Sequence, residues 1–168
     1  ARFIQYLENV LRKEEFMSME EKRSSQTSLD FNQNIFKPSS REEIVEIVKH
    51  CYNKNIPLEI NCLKSKNKIG RNFQSEKTLD LSDYRGLIEY KPEELYIKVK
   101  AGTPLREIIE ELDKNNQQLA FEPNDFGYLF SGESNSGSIG GVVSCNFAGS
   151  RRFKVGSVRD HILGFQGI

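Results

Sequence analysis

Four glycines and four serines crowd the fifteen residues SGSIGGVVSCNFAGS, at positions 136–150. Glycine lets a backbone approach a ligand closely and adopt positive φ, so successive amide N–H groups can converge on an anion. The same density of small residues also suits a surface loop followed by tight helix packing. The flanking motifs narrow the chemistry. GxGxxG is absent, because Gly140 and Gly141 are adjacent. Gly132 and Gly137 have P-loop spacing, but Ser138 and Ile139 stand where Lys and Ser/Thr are needed, which removes the side chain that reaches the outer phosphates. No HExxH and no grouping of His with carboxylates offers a metal site, and the three cysteines, Cys51, Cys62 and Cys145, form no CxxC pair. They read as reduced thiols of a cytoplasmic protein. His50 reads as a helix-end surface residue. His161, between Asp160 and an apolar run, reads as structural, with a redox-site base as the alternative. Arg151 and Arg152 read as a solvated pair, with contact to a phosphate or a partner's carboxylate as the alternative.

The elements that must carry this segment follow from periodicity. Phe3, Leu7, Val10 and Leu11 share one stripe of an N-terminal helix suited to packing or to a partner. The polar residues 17–34 read as a linker, so the organised domain spans residues 36–168, after an arm of residues 1–35. Ser40 and Glu43 have capping-box spacing ahead of a helix whose apolar face is Ile44, Ile47, Val48 and Cys51. PLEIN (57–61), a stretch around residues 79–81, and ELYIKV read as strands. A helix then follows, with Thr103 as its cap, Pro104 in its first position, and Leu105, Ile108, Ile109 and Leu112 buried. QQLAFEP and the terminal HILGF run, interrupted by Gly164, read as two further strands. The order gives an α+β or mixed α/β class without internal repeats.

Lys plus Arg total 24 and Asp plus Glu total 24, so no basic face is implied and nucleic acid is a poor partner. A hydrophobic content of 37% fits a folded globular chain. No apolar run approaches the roughly 20 residues that span a bilayer, and no secretory h-region opens the chain. The chain begins at Ala1 and stops at Ile168 directly after an apolar run, from which we expect a truncated product, a split gene product or a fragment.

In order come YKPEELYIKVKAGTPLREIIEEL, LAFEP, SGSIGGVVSCNFAGSRR and GSVRDHILGF. This succession resembles the FAD-binding half of the vanillyl-alcohol oxidase / p-cresol methylhydroxylase (PCMH-type) superfamily. Within that superfamily, LAFEP, AGSRR and GSVRDHILG are similar to the FAD-binding subunit of bacterial glycolate oxidases. The resemblance covers residues 36–168. It implies two α+β subdomains with FAD between them, and amides of Ile139, Gly140, Gly141 and Val142 around the pyrophosphate. Ser138 and Ser144 would add hydroxyls, and Asn146 would close the segment. A pyrophosphate is well served by converging N–H donors at a helix start, and a Cβ at Gly140 or Gly141 would push it away. The resemblance further implies that Gly156, Ser157, Val158 and Asp160 run beside the ribityl or adenosine part, with a backbone contact from Ile162. Pro123 precedes a flavin-contacting loop.

The first phosphate loop departs from the family pattern. In CLKSKNKIGR only Ser65, Lys66 and Gly70 fit, while Cys62, Leu63 and Lys64 stand where small residues are usual. Their Cβ atoms narrow the approach and disfavour positive φ, and Lys64 and Lys66 offer charge in return. The family's remaining FAD-domain strands and its substrate domain would follow residue 168, so this chain alone is not expected to carry out the redox reaction. No residue is assigned a catalytic role. The resemblance implies an FAD-binding domain of a flavin-dependent 2-hydroxy-acid oxidoreductase, cytoplasmic or held peripherally at a membrane by its complex. Its partners would be the other subunits of a glycolate oxidase-like complex, a second flavoprotein and an iron–sulfur subunit among them. The alternative is a degenerate remnant that binds FAD weakly or not at all and serves as a subunit-interaction module. A third reading is an unrelated α/β binding protein in which the glycines are structural.

Overall fold

The computed structural model of the chain describes residues 29–66, 69–70, 74–124, 126–130 and 137–168. The helix expected around residues 3–11, the arm up to residue 28, and Gly132 lie outside the described residues. The chain divides into two units, Ala1–Asn32 and Gln33–Ile168. In the described part of the first, the Asn32 N–H donates to Asp30 Oδ1 at 3.0 Å.

The second unit opens with a short strand, β1 (Ile35–Phe36), and Pro38 then leads into helix α1 (Arg41–Asn53). Ser40 Oγ accepts from the Glu43 N–H at 3.2 Å, as its spacing predicts. Glu43 reaches back one residue further than expected, accepting from the Ser39 N–H at 2.8 Å. The 3.6-residue period then buries Ile44, Ile47 and Cys51, and leaves Val48 half-buried.

Strands β2 (Leu58–Asn61) and β3 (Lys77–Asp80) follow α1, close to where PLEIN and KTLDL put them. All pairing in this sheet is parallel and the order is β1-β3-β2, so α1 crosses over from one edge to the other. Phe36 lies opposite Leu79, and both are essentially fully buried.

A second sheet is an antiparallel hairpin of β4 (Leu87–Lys91) and β5 (Tyr96–Val99), joined by the 3-10 turn Pro92–Glu94 with Leu95 left-handed at φ 58°. β5 is the strand expected in ELYIKV, whereas β4 has no strand signature because a register shift between Leu87 and Glu89 breaks its alternation.

Helix α2 (Leu105–Asp113) buries Leu105, Ile108 and Leu112, while Ile109 stays partly exposed. Thr103 does not cap it. Its hydroxyl accepts from the Gly86 N–H at 3.0 Å and lies 2.7 Å from the Lys100 carbonyl, so it ties the hairpin's two ends together. Pro104 stands at the cap position itself, one place earlier than expected.

Three short helices complete the unit: α3 (Gly127–Phe130), α4 (Ile139–Cys145) and α5 (Arg152–Val155), followed by the 3-10 turn Val158–His161. Two expected strands are absent. Residues 117–123 make a single bridge, Pro123 to Ala148, because proline has no N–H with which to extend a ladder. Residues 162–168 form no element, and Leu163 and Phe165 are exposed. The core below α4 joins Leu105, Phe121, Val142 and Val158, with Ile139, Val143 and Ile162 packed against it. The class is α+β, as the element order indicates.

Candidate functional site

The glycine-rich segment is a helix start, as its small residues allow. Ser138 is extended (φ −97°, ψ 157°), and its Oγ accepts from the Gly141 N–H at 3.3 Å, so it is an N-cap. Backbone bonds tie this helix start to the strand exit before α2. Leu105 N–H donates to Gly137 O (2.9 Å), Ile139 N–H to Thr103 O (3.0 Å), and Gly140 N–H to Ala101 O (2.9 Å). Val142 N–H donates to Ser138 O at 3.1 Å.

These bonds revise the chemistry expected of the segment. The amides of Ile139, Gly140, Gly141 and Val142 all have protein acceptors, so they do not stand as a free ring of donors. Gly140 has a different reason to be glycine: a Cβ there would lie 2.8 Å from Ala101 O, so the constraint is close packing on the strand exit. Ser144 Oγ turns back to Gly140 O at 2.7 Å. Asn146 ends α4 in the left-handed conformation, and its Oδ1 accepts from the Arg159 N–H at 3.0 Å.

Gly141 and Gly137 look the other way. A Cβ on Gly141 would lie 3.4 Å from Ser138 Oγ and 3.6 Å from Lys66 Nζ, and one on Gly137 would lie 3.5 Å from both Lys66 Nζ and Ser65 Oγ. Both backbones therefore face the Ser65–Lys66 turn. That turn closes a small cavity of about 40 Å³ with Leu105, Ile109, Pro123, Asn124, Phe126 and Gly137, room for water-sized groups.

The turn begins at the carboxyl end of β2, where ligands settle on parallel sheets. Cys62, its first residue, points its thiol at Gly102 O (3.7 Å) and meets Ser138, and burial pushes its pKa up, so it stays a neutral thiol. Lys64 is held at φ 55°, a conformation that a residue with a Cβ adopts at a cost, as the loop's departure from small residues implies. Among the described residues, the buried side-chain atoms Asn61 Oδ1 and Asn124 Oδ1 lack a hydrogen-bond partner. Asn61 immediately precedes this turn, and Asn124 lines the cavity.

The remaining candidates have structural work. Pro123 lines the cavity and bridges to Ala148, while Glu122 beside it accepts from Gly149 N–H, Ser150 Oγ and Arg151 N–H. The Val158 side chain is in the core and Ile162 packs against it. Gly70, in a turn at φ 101°, is not among the cavity's walls. Gly156 (φ 89°) passes so close to Asp160 that a Cβ would lie 2.8 Å from Oδ2. His161 Nε2 lies 2.8 Å from Val155 O and its ring packs on Phe121, a structural placement. Sequence reasoning missed Gly137, Asn124 and Phe126 as walls; Gly137 carried a signal through its place in the small-residue run, and Asn124 and Phe126 only through the loop that Pro123 precedes.

Asp160 Oδ2 accepts from the Ser157 N–H (2.7 Å) and hydroxyl (2.8 Å), and these bonds, the backbone one foremost, hold its carboxyl below the usual carboxylate range. Because the folded-state value is depressed, the stabilisation is complete above that range and is lost as pH falls through it. Asp160→Asn is expected to lower the melting temperature at neutral pH, with the mutant and parent curves converging in acid. Thermal melts across that range check this, and a constant gap would remove Asp160 as the titrating group.

The family described as FAD binding domain matches residues 33–168. The chain is 37% identical over 123 residues to the glycolate oxidase subunit GlcE of Escherichia coli (strain K12), an alignment covering 73% of this chain and 33% of that protein. It is 33% identical over 85 residues to the D-2-hydroxyglutarate dehydrogenase of the same organism, covering 49% of this chain and 7% of that one. Two solved structures of alkyldihydroxyacetonephosphate synthase share the fold, with TM-scores of 0.61 and 0.60 at 18% and 20% identity. They align with 77% and 75% of this chain and with 25% and 23% of theirs. The chain thus spans about a third of the length of the first curated relative and less of the others. With its α+β architecture, and with the family matched from residue 33 to residue 168, the chain belongs to the FAD binding domain family of the PCMH-type superfamily, and its cofactor is FAD.

Proposed function

We propose that this FAD-binding domain serves a flavin-dependent oxidoreductase acting on a 2-hydroxy acid, of the glycolate oxidase type. The observation that carries the reading is the 37% identity to a glycolate oxidase subunit, and the second curated relative is also named for a 2-hydroxy acid. In this reading residues 36–168 are the cofactor domain and the partners are the other subunits of such a complex, a second flavoprotein and an iron–sulfur subunit among them. The complex is cytoplasmic, and no helix among the described residues is long and apolar enough to cross a membrane. The alternative of a remnant that has lost FAD is not favoured, since the family match includes both the altered first loop and the glycine-rich helix.

The residues at the cavity fit part of the cofactor. Lys66 supplies positive charge and Ser65 a hydroxyl, Gly137 and Gly141 leave the helix start bare toward them, and Asn124 holds an unpaired acceptor. A pyrophosphate needs charge and close backbone, and here the ammonium takes over what the four spent amides do not offer. Ser138, Ile139 and Val142 hold the helix start in place. Asn146, Gly156, Ser157, Val158, Asp160 and Ile162 fix the segment beyond it, and contribute to the cofactor through backbone atoms. When bound, FAD supplies the two-electron acceptor for a hydride equivalent from the substrate's C2, and the protein supplies position and electrostatics.

The test is a visible absorption spectrum of the purified chain, then titration with FAD followed by flavin fluorescence. Saturable quenching is expected, and Lys66→Met is expected to weaken it about tenfold, as for loss of one charge-assisted hydrogen bond. A folded chain that takes up no FAD would sink this reading. Unchanged affinity in Lys66→Met would move the phosphates away from this turn.

A further inference from the structure

We infer that Glu122 is a positioning residue for the cofactor: its carboxylate latches the turn after α4 to the segment that walls the cavity, and so fixes the width of the cofactor's seat. The inference rests on the FAD-binding reading above. Four pieces of the described chain wall the cavity, and three are held by regular structure. Ser65 and Lys66 follow β2, Leu105 and Ile109 belong to α2, and Gly137, just before α4, accepts from the Leu105 N–H. The fourth piece, Pro123, Asn124 and Phe126, lies in no helix and has only the Pro123–Ala148 bridge, where proline brings no N–H.

Both ends of that piece are tied to the residues that follow α4. At one end Glu122 O accepts from the Gly149 N–H at 2.7 Å, and Glu122 Oε2 accepts from the Ser150 hydroxyl at 3.1 Å and from the Arg151 N–H at 3.3 Å. At the other, the Phe126 ring meets Phe147 edge-on, with centroids 5.5 Å apart. The approach at Gly149 is close, since a Cβ there would lie 3.0 Å from Glu122 Cβ. Glu122 is not itself a wall of the cavity, because its carboxylate is turned to residues 150 and 151. Its effect on the cofactor therefore passes through its neighbours Pro123 and Asn124. In this arrangement α4 controls both sides of the seat, one directly at its Ser138–Gly141 start and the other through the latch beyond its end. A carboxylate suits the task, because one oxygen takes two donors and its bonds are about twice as strong as neutral ones.

The experiment uses the full chain, as parent, Glu122→Ala, Glu122→Gln and Ser150→Ala, at a temperature where far-ultraviolet circular dichroism shows each one folded. It reads the dissociation constant for FAD by fluorescence quenching, and the visible circular dichroism of the saturated complex, which senses the flavin's surroundings. Glu122→Ala is expected to weaken FAD about tenfold and to alter the visible spectrum. Glu122→Gln keeps an acceptor oxygen at the same reach, and is expected to restore the spectrum and stay within about twofold of the parental affinity. Ser150→Ala removes one donor from an exposed position and is expected to weaken FAD about fivefold, so it carries the test if Glu122→Ala does not fold. Parental affinity and spectrum in Glu122→Ala, or in Ser150→Ala where Glu122→Ala is unfolded, would overturn the inference and leave the FAD reading intact, since the latch would then serve the fold alone. Glu122→Gln binding as weakly as Glu122→Ala would also overturn it, because charge and not the accepted bonds would then matter. A folded parent with no FAD affinity would remove the inference together with the reading beneath it.

Discussion

Gly102→Ala is expected to cost about 3 kcal/mol of stability or more. A Cβ at Gly102 would fall far inside van der Waals contact with Leu81 O and 2.5 Å from Tyr84 O. Both atoms are backbone, so neither can rotate away. The Gly102 N–H donates to Tyr84 O at 3.0 Å, so the displacement that relieves the clash also stretches that bond. Immediately beyond lie Thr103 and the three backbone bonds that seat the start of α4. Total stabilities of domains this size are about 5–15 kcal/mol, so the loss takes a large share. A denaturant titration measures it as a lower midpoint at unchanged slope, and an unshifted midpoint would show that the turn at Gly102 adjusts freely.

Gly141→Val is expected to do the reverse, leaving the fold and removing the ligand. Valine is a better helix former than glycine, and the first Cβ contacts, 3.4 Å to Ser138 Oγ and 3.6 Å to Lys66 Nζ, are ordinary ones. Stability is therefore expected to stay within about 1 kcal/mol of the parent. The isopropyl group then fills the gap between the helix start and the Lys66 ammonium, where the phosphates need room. FAD affinity is expected to fall at least about a hundredfold, close to 3 kcal/mol. Paired melting and FAD-titration curves separate the two quantities, and full affinity in a folded variant would place the cofactor on another face.

Much of this arrangement was legible in the residues. The capped helix α1, strands β2, β3 and β5 and the buried face of α2 follow from period and capping alone. The helix start at Ser138 was legible too, since serine followed by glycines and valines has few other uses. What failed were local signals answered by distant partners. LAFEP alternates like a strand, yet Pro123 and the pairing of Glu122 with Gly149 leave it a single bridge. β4 hides behind its irregular register with β5. At the site, the motif marks both Gly140 and Gly141 as glycine without saying why, and only the contact with Ala101 separates a packing glycine from one facing the Lys66 turn. Asn124 was marked only by its place after Pro123, because an unpaired oxygen is a property of its surroundings.

The sheet order β1-β3-β2 also sets a schedule for the newborn chain. β1 and β2 do not pair with each other; each waits for β3, and Ile35 finds its place only opposite Thr78. At a synthesis rate of about 5–20 residues/s, roughly 2–8 s separate the emergence of β1 from that of β3. Throughout that interval Phe36 and the apolar face of α1 have no sheet to cover them. The strand that closes the sheet is thus also the one that ends the exposure of Phe36 and the α1 face to aggregation and to chaperones.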